Sequence, residues 1–182
     1  MTREELEHAI RAACDVAADD AVYVFGSQAI LGQFPDAVAD LRQSVEVDIA
    51  PFTRLDRVDN LDGSLGELSQ FHQTHGFYVH GLPIESATLP KGWKRRLIPV
   101  RDAVGTRGKT GWCLEGHDLA ASKLAAFREK DRDFVLVLLR EGMIEASVLI
   151  RRIRTLDIAP DQRERLCKWV RLTAQGLKAP RG

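Results

Sequence analysis

The chain has 182 residues, 45% of them hydrophobic, with 26 basic and 26 acidic side chains. That is apolar material for one domain-sized core and excludes a disordered chain. The longest apolar runs, such as Val135 to Leu139, fall far short of the roughly 18 residues of a membrane span, and the charged, amphipathic start is unlike a signal peptide, so a cytoplasmic protein with no membrane partner is expected.

Thr2-Arg3-Glu4-Glu5 reads as a capping box, after which Leu6, Ile10, Ala13, Cys14 and Ala17 recur at helical spacing. Asp19-Asp20 end that helix. Ala21 to Phe25 then reads as a strand that stops at Gly26-Ser27, and Gln28 to Leu31 as the start of a helix with Ser27 at its N-terminus. Pro35-Asp36 opens a further turn carrying Ala37, Val38 and Leu41. Ser44 to Ala50 is the second strand, closed by Pro51, with Val45, Val47 and Ile49 alternating with Glu46 and Asp48. One of its faces is apolar and the other presents two carboxylates.

Thr53 to Phe71 reads as helix and turn, broken at Asp62-Gly63. Phe77 to His80 and Ile84 to Leu89 are expected to be two short strands joined at Gly81-Leu82-Pro83. Leu97 to Val100 can be at most an edge strand because of Pro99, and Gly105 to Gly111 forms a glycine-rich hairpin leading to Trp112 to Leu114. From His117 the period changes from two to about 3.6. Helices are expected at Asp118 to Phe127, Arg132 to Glu141 with Gly142 as cap, Glu145 to Thr155, and Asp161 to Ala174, with Lys178 to Gly182 as a frayed tail. Strands followed by helices make an α+β chain, with a core over residues 1–114 and a C-terminal helical segment over 115–182 packed on it.

The zero net charge hides an asymmetry. Residues 1–90 hold 15 acidic and 5 basic side chains, leaving 11 and 21 for the remainder. An acidic half suits metal ions and a basic half suits phosphates, although helix surfaces of opposite sign would give the same counts. Cys14, Cys113 and Cys167 show no paired spacing and read as buried thiols.

The chemistry concentrates in Val22 to Ile49. A hydroxyl residue after a strand-ending glycine can present backbone N–H groups to phosphate, and Glu46 and Asp48 at i, i+2 point to one side, as a divalent metal with a nucleoside triphosphate requires. Alone, a Glu-x-Asp strand also describes the solvent face of an ordinary sheet. Downstream, Lys123 stands among Ala and Leu, and a partly buried lysine that meets an anion is a candidate phosphate ligand.

Two other patterns fail on context. Ala103 to Thr110 approximates a phosphate-binding loop with alanine for its first glycine, but Gly111 to Leu114 reads as strand where a helix should open. His72 and His75 lack further ligands at zinc spacing and read as loop residues. The basic stretch Lys91 to Lys109 with Trp93 and Trp112 suits either a polynucleotide track or a solvated rim with two core tryptophans.

Strand, Gly26-Ser27, helix, then a strand with Glu46 and Asp48 resembles the DNA polymerase β-like nucleotidyltransferase superfamily. Ser122-Lys123-Leu124-Ala125 followed by Arg128-x-Lys130-Asp131 resembles the third motif of the abortive-infection nucleotidyltransferases, toxins of type IV toxin-antitoxin systems. Phe77-Tyr78, Glu85 to Pro90 and Gly92-Trp93 look like a bacterial branch of that group. The resemblance spans Val22 to Gly142. It implies a mixed sheet flanked by helices, Gly26 and Ser27 on the triphosphate, Glu46 and Asp48 holding Mg²⁺ or Mn²⁺, Lys123 on the triphosphate, and Asp131 positioning that lysine or acting as base. Glu85 would be a third, strand-borne carboxylate. The implied partners are an NTP, a hydroxyl acceptor such as tRNA, and a cognate antitoxin. The family's first metal position is an Asp; Glu46 extends it by a methylene, about 1.5 Å, which admits an alternative, a catalytically inactive protein of this fold that binds nucleotide, RNA or a protein partner.

Overall fold

The first helix, α1 (Arg3–Ala17), opens on the expected capping box: the Thr2 hydroxyl accepts from the Glu5 amide and the Glu5 carboxylate accepts from the Thr2 amide. Its periodic side chains Leu6, Ala9, Ile10, Ala13, Cys14 and Ala17 form a buried stripe. The structure, a computed structural model, describes residues 1–178. The expected tail beyond Lys178 lies outside the described residues.

Strands β1 (Ala21–Phe25), β2 (Glu46–Pro51), β3 (Tyr78–Gly81), β4 (Ile98–Val100) and β5 (Thr110–Cys113) form a mixed sheet in the order β3-β2-β1-β5-β4. β1 runs antiparallel to β2 and parallel to β5, β2 runs parallel to β3, and β4 is antiparallel to β5. The registers sort the side chains. Val22, Val24, Val47, Ile49 and Val79 share one face with Gly111 and Cys113, while Tyr23, Phe25, Trp112, Glu46, Asp48, Tyr78 and His80 share the other. α1 covers the first face so closely that a Cβ on Gly111 would collide with Ile10. Pro99 sits in the three-residue edge strand β4, where its missing N–H is tolerated.

The fold is α+β, a mixed sheet flanked by helices with a helical C-terminal segment. Two compact units divide it: Met1–Ala87 with Arg96–Glu115, and Thr88–Arg95 with the described residues from Gly116 to Lys178. The second unit holds the helices of the C-terminal segment, and Lys91 is tied to it by an amide donated to the Thr155 carbonyl at 3.4 Å. The division thus falls after Glu115, one residue beyond the expected 114, and residues 88–95 join the second unit.

In the first unit come α2 (Ile30–Gln33), α3 (Val58–Leu65) and α4 (Gln70–His75). Asp62-Gly63 does not break α3. A helical glycine costs about 1 kcal/mol, and burial of Leu61 and Leu65 on the same helix offsets it; the break comes at Gly66. Ile84 to Leu89 is not a strand either: Ile84–Ser86 is a single 3₁₀ turn. Pro83 pre-sets the turn, and β3 already fills the sheet position beside β2.

In the second unit the helices are α5 (Gly116–Ala126), α6 (Glu129–Arg140), α7 (Ala146–Ile153) and α8 (Pro160–Lys178). α6 starts a turn earlier than its apolar period predicts, because Asp131 closes a capping box onto Arg128. Asp118 is 1% exposed and pairs with Arg152 at 3.0 Å. No helix among the described residues is long and apolar enough to cross a membrane.

Asp19 ties the end of α1 to the chain after β2. Its carboxylate accepts from the Thr53 amide (2.7 Å), the Thr53 hydroxyl (3.0 Å) and the Arg54 amide (3.1 Å). Burial pushes its pKa up, but these donors outweigh it and hold the group below the usual aspartate value. Asp19→Ala is expected to lower stability by about 1–3 kcal/mol. Because the folded pKa is depressed, the contribution is complete above roughly pH 4 and fades as pH falls through the folded value. Urea unfolding of wild type and Asp19→Ala from pH 7 down to pH 3 checks this: the gap between them should narrow with acid.

Candidate metal centre

Parallel pairing of β2 with β3 builds the site. Glu46 lies opposite Tyr78 and Asp48 opposite His80, all on one face. His80 Nδ1 is 3.3 Å from Glu46 Oε1 and 3.2 Å from Asp48 Oδ1, and one ligand atom from each residue lies within 4.8 Å of the others. The Tyr78 hydroxyl donates to Glu46 Oε2 at 2.8 Å, fixing the outer carboxylate. All three ligand residues are half-buried, with side-chain exposures of 38% for Glu46, 20% for Asp48 and 40% for His80, so the group is open to a solvent-borne ion.

The electrostatics follow from crowding. Burial, then the Glu46 charge and a hydrogen bond with Glu46, push the Asp48 carboxyl up to about 6, with His80 acting in the opposite sense. Burial also acts to raise the Glu46 carboxyl, but the Tyr78 hydroxyl and Asp48 hydrogen bonds and His80 hold it below its ordinary value. Burial and the adjoining Glu46 raise the Tyr78 phenol. Two carboxylates and an imidazole that crowd together in this way fit a divalent cation, which would draw all three inward.

Gly26 forms the wall beside Asp48. It has φ +71° and ψ −170°, a region open essentially to glycine alone, and a Cβ built there would run into the Asp48 carboxylate. The antiparallel register that sets Phe25 opposite Asp48 brings it there. Ser27 is half-buried and begins a 3₁₀ turn, Ser27–Ala29, that leads into α2. The N-cap is Gly26, one residue before the expected Ser27.

The structure thus brings Gly26, Ser27, Glu46 and Asp48 into one neighbourhood and adds a third residue able to ligate a metal, which the sequence does not single out. His80, not Glu85, completes the group: Glu85 is exposed on the 3₁₀ turn after β3 and stands outside it. The available signal was the Tyr-x-His alternation of β3, whose polar side matches Glu-x-Asp once the strands pair.

Lys123 and Asp131 lie in the second unit and meet there. Lys123 Nζ is 3.4 Å from Asp131 Oδ1 and 4.7 Å from the centre of the Phe134 ring, with its side chain 11% exposed. Asp131 is fully buried and also accepts from Arg128 Nε at 2.7 Å. Burial acts to raise its pKa, but Arg128 and Lys123 outweigh that and hold it below the usual range.

The discounted patterns have structural roles. Thr110 opens a strand, and in the preceding loop the Asp102 carboxylate itself accepts the Val104 and Gly105 amides. His75 packs with His8, Phe71 and Phe77, and His72 Nδ1 accepts from the Leu68 amide. The basic stretch is shared between the units, with Trp93 and Lys94 in the second and Lys109 paired to Asp20 at 2.8 Å in the first. The three cysteines are free and buried.

Gly26→Ala is expected to strain the turn by about 1–3 kcal/mol and to displace the Asp48 carboxylate, so that thermal melting falls and any stabilisation by added divalent cation shrinks; thermal unfolding with and without Mn²⁺ checks both. Comparison with protein-family models, with curated proteins and with solved structures finds no match for the chain, and a functional reading therefore rests on the site's own chemistry and on the motif resemblance in the sequence.

Proposed function

We propose that this protein is a metal-dependent nucleotidyltransferase that moves a nucleotide from an NTP to a hydroxyl acceptor such as tRNA, acting as the toxin-like partner of a cognate antitoxin. The observation that carries the reading is the seating of the Gly26-Ser27 turn directly against Asp48: a turn of the kind suited to phosphate lies beside a group that could hold a cation. Gly26 allows close backbone approach to a triphosphate, and the Ser27 hydroxyl with the neighbouring amides is suited to its oxygens.

Glu46, Asp48 and His80 would hold the divalent ion, Mg²⁺ or Mn²⁺. When bound, such an ion neutralises the pyrophosphate leaving group and polarises the acceptor hydroxyl. Tyr78 holds the longer arm of Glu46 beside Asp48. Lys123, paired with Asp131, is assigned to the triphosphate in the same reading. Catalysis of this kind depends on positioning and charge neutralisation as the hydroxyl attacks the α-phosphate. The competing reading, a catalytically silent protein of this fold that binds nucleotide, RNA or a protein, is favoured by Glu46 standing where the resembled family has Asp.

The test is incubation with each labelled NTP, total tRNA and Mg²⁺ or Mn²⁺. Label transfer is expected, and Asp48→Ala and Lys123→Ala should each lower it about a hundredfold or more. Transfer that persists in both variants overturns the site assignment. Tight NTP binding with no transfer under any condition establishes the silent reading instead.

A further inference from the structure

The donor set at the acidic end of β2 is not all oxygen. A hard ion such as Mg²⁺ takes carboxylates, phosphates and waters, and keeps several of those waters, whereas imidazole nitrogen suits first-row transition ions. Here His80 is the one nitrogen-bearing ligand residue of the group, and both carboxylates converge on its Nδ1, at 3.3 and 3.2 Å. We infer that Glu46, Asp48 and His80 form a site selective for a first-row transition dication of the Mn²⁺ to Zn²⁺ class over Mg²⁺, with His80 as the selecting ligand. The inference rests on the metal-site part of the proposed function and not on nucleotidyl transfer.

The spacing supports a single shared ion. Ligands at about 2.1 Å from a metal stand about 3.0 Å apart when cis on an octahedron and about 3.4 Å apart on a tetrahedron. The observed separations from Nδ1 lie between those limits, and one ligand atom from each of the three residues lies within 4.8 Å of the others, so a single ion can draw both carboxylates and the ring onto itself. Hydrogen bonding alone serves the group less well: Nδ1 carries at most one hydrogen, and two carboxylate oxygens face it.

The ligands are also held from behind. Asp48 is walled by Gly26, Glu46 is bonded by the Tyr78 hydroxyl, and the β2–β3 ladder sets His80 opposite Asp48. Supports of this kind orient ligands before the ion arrives. Because all three side chains are partly exposed, the remaining coordination positions stay open to water or to phosphate oxygens, as in catalytic rather than structural sites.

The test uses the chelator-stripped 182-residue chain and reads binding directly. Calorimetric titration with Mg²⁺, Mn²⁺ and Zn²⁺ is expected to show one ion per chain with affinity rising in that order, and Mn²⁺ at least about tenfold tighter than Mg²⁺. His80→Ala should weaken Mn²⁺ and Zn²⁺ by about tenfold or more, since loss of even an outer-shell partner costs that much, and leave Mg²⁺ little changed. His80→Asp, an all-oxygen site, should narrow the preference by strengthening Mg²⁺. Pulsed electron paramagnetic resonance of bound Mn²⁺ in wild type should show coupling to a ring nitrogen that is lost in His80→Asp, a readout independent of how well His80→Ala folds. Equal Mg²⁺ and Mn²⁺ affinity, no nitrogen coupling, or a preference unchanged in His80→Asp overturns the inference, and absence of any dication binding removes the metal site altogether. Selective Mn²⁺ binding through His80 with no nucleotidyl transfer discards the enzymatic reading and leaves this one standing.

Discussion

Phe25 lies opposite Asp48 in the antiparallel ladder of β1 on β2, and the remainder of the site depends on that register. The pairing carries the end of β1 to the carboxylate edge of β2, where the chain must turn without a side chain in the way. Only glycine satisfies both the positive φ and the missing space. A one-residue slip would turn Glu46 and Asp48 toward α1 and bring Val47 and Ile49 to the outer face. Burial of those two aliphatic residues, each 0% exposed, therefore also fixes which way the carboxylates point.

A second register refines the first. β3 adds Tyr78 and His80 in parallel beside Glu46 and Asp48, so each carboxylate gains a neighbour of a different kind. The phenol donates one hydrogen bond and holds the longer side chain. The imidazole supplies a nitrogen. Glu46 is thus more than an Asp lengthened by a methylene, because its added reach is taken up by a dedicated donor.

Much of this organisation was legible in the sequence where burial is one-sided. The capping box at Thr2, the alternation of β2 and the apolar periods of the late helices all follow from which face must leave water. Gly26-Ser27 with Glu46 and Asp48 could also be picked out, since both pairs are local. His80 could not be placed in the same way: it joins the group only through strand pairing, and nothing in its own neighbourhood says that its strand lies beside β2. Glu85 reads in the sequence as a carboxylate on a strand, but Pro83 turns the chain before that strand can form. At Asp62-Gly63 a local turn preference yields to the burial of Leu61 and Leu65.

Pro99 has a bearing on how this molecule behaves among copies of itself. Open sheets risk recruiting strands from neighbouring molecules along an unpaired edge. One edge here is β4, three residues long with proline at its centre; the N–H groups of Ile98 and Val100 turn toward β5, and the outward position between them is Pro99, which has no N–H to offer. An incoming strand would find a short and interrupted ladder, and the sheet is thereby protected along that edge from growth into aggregates during folding and at high concentration.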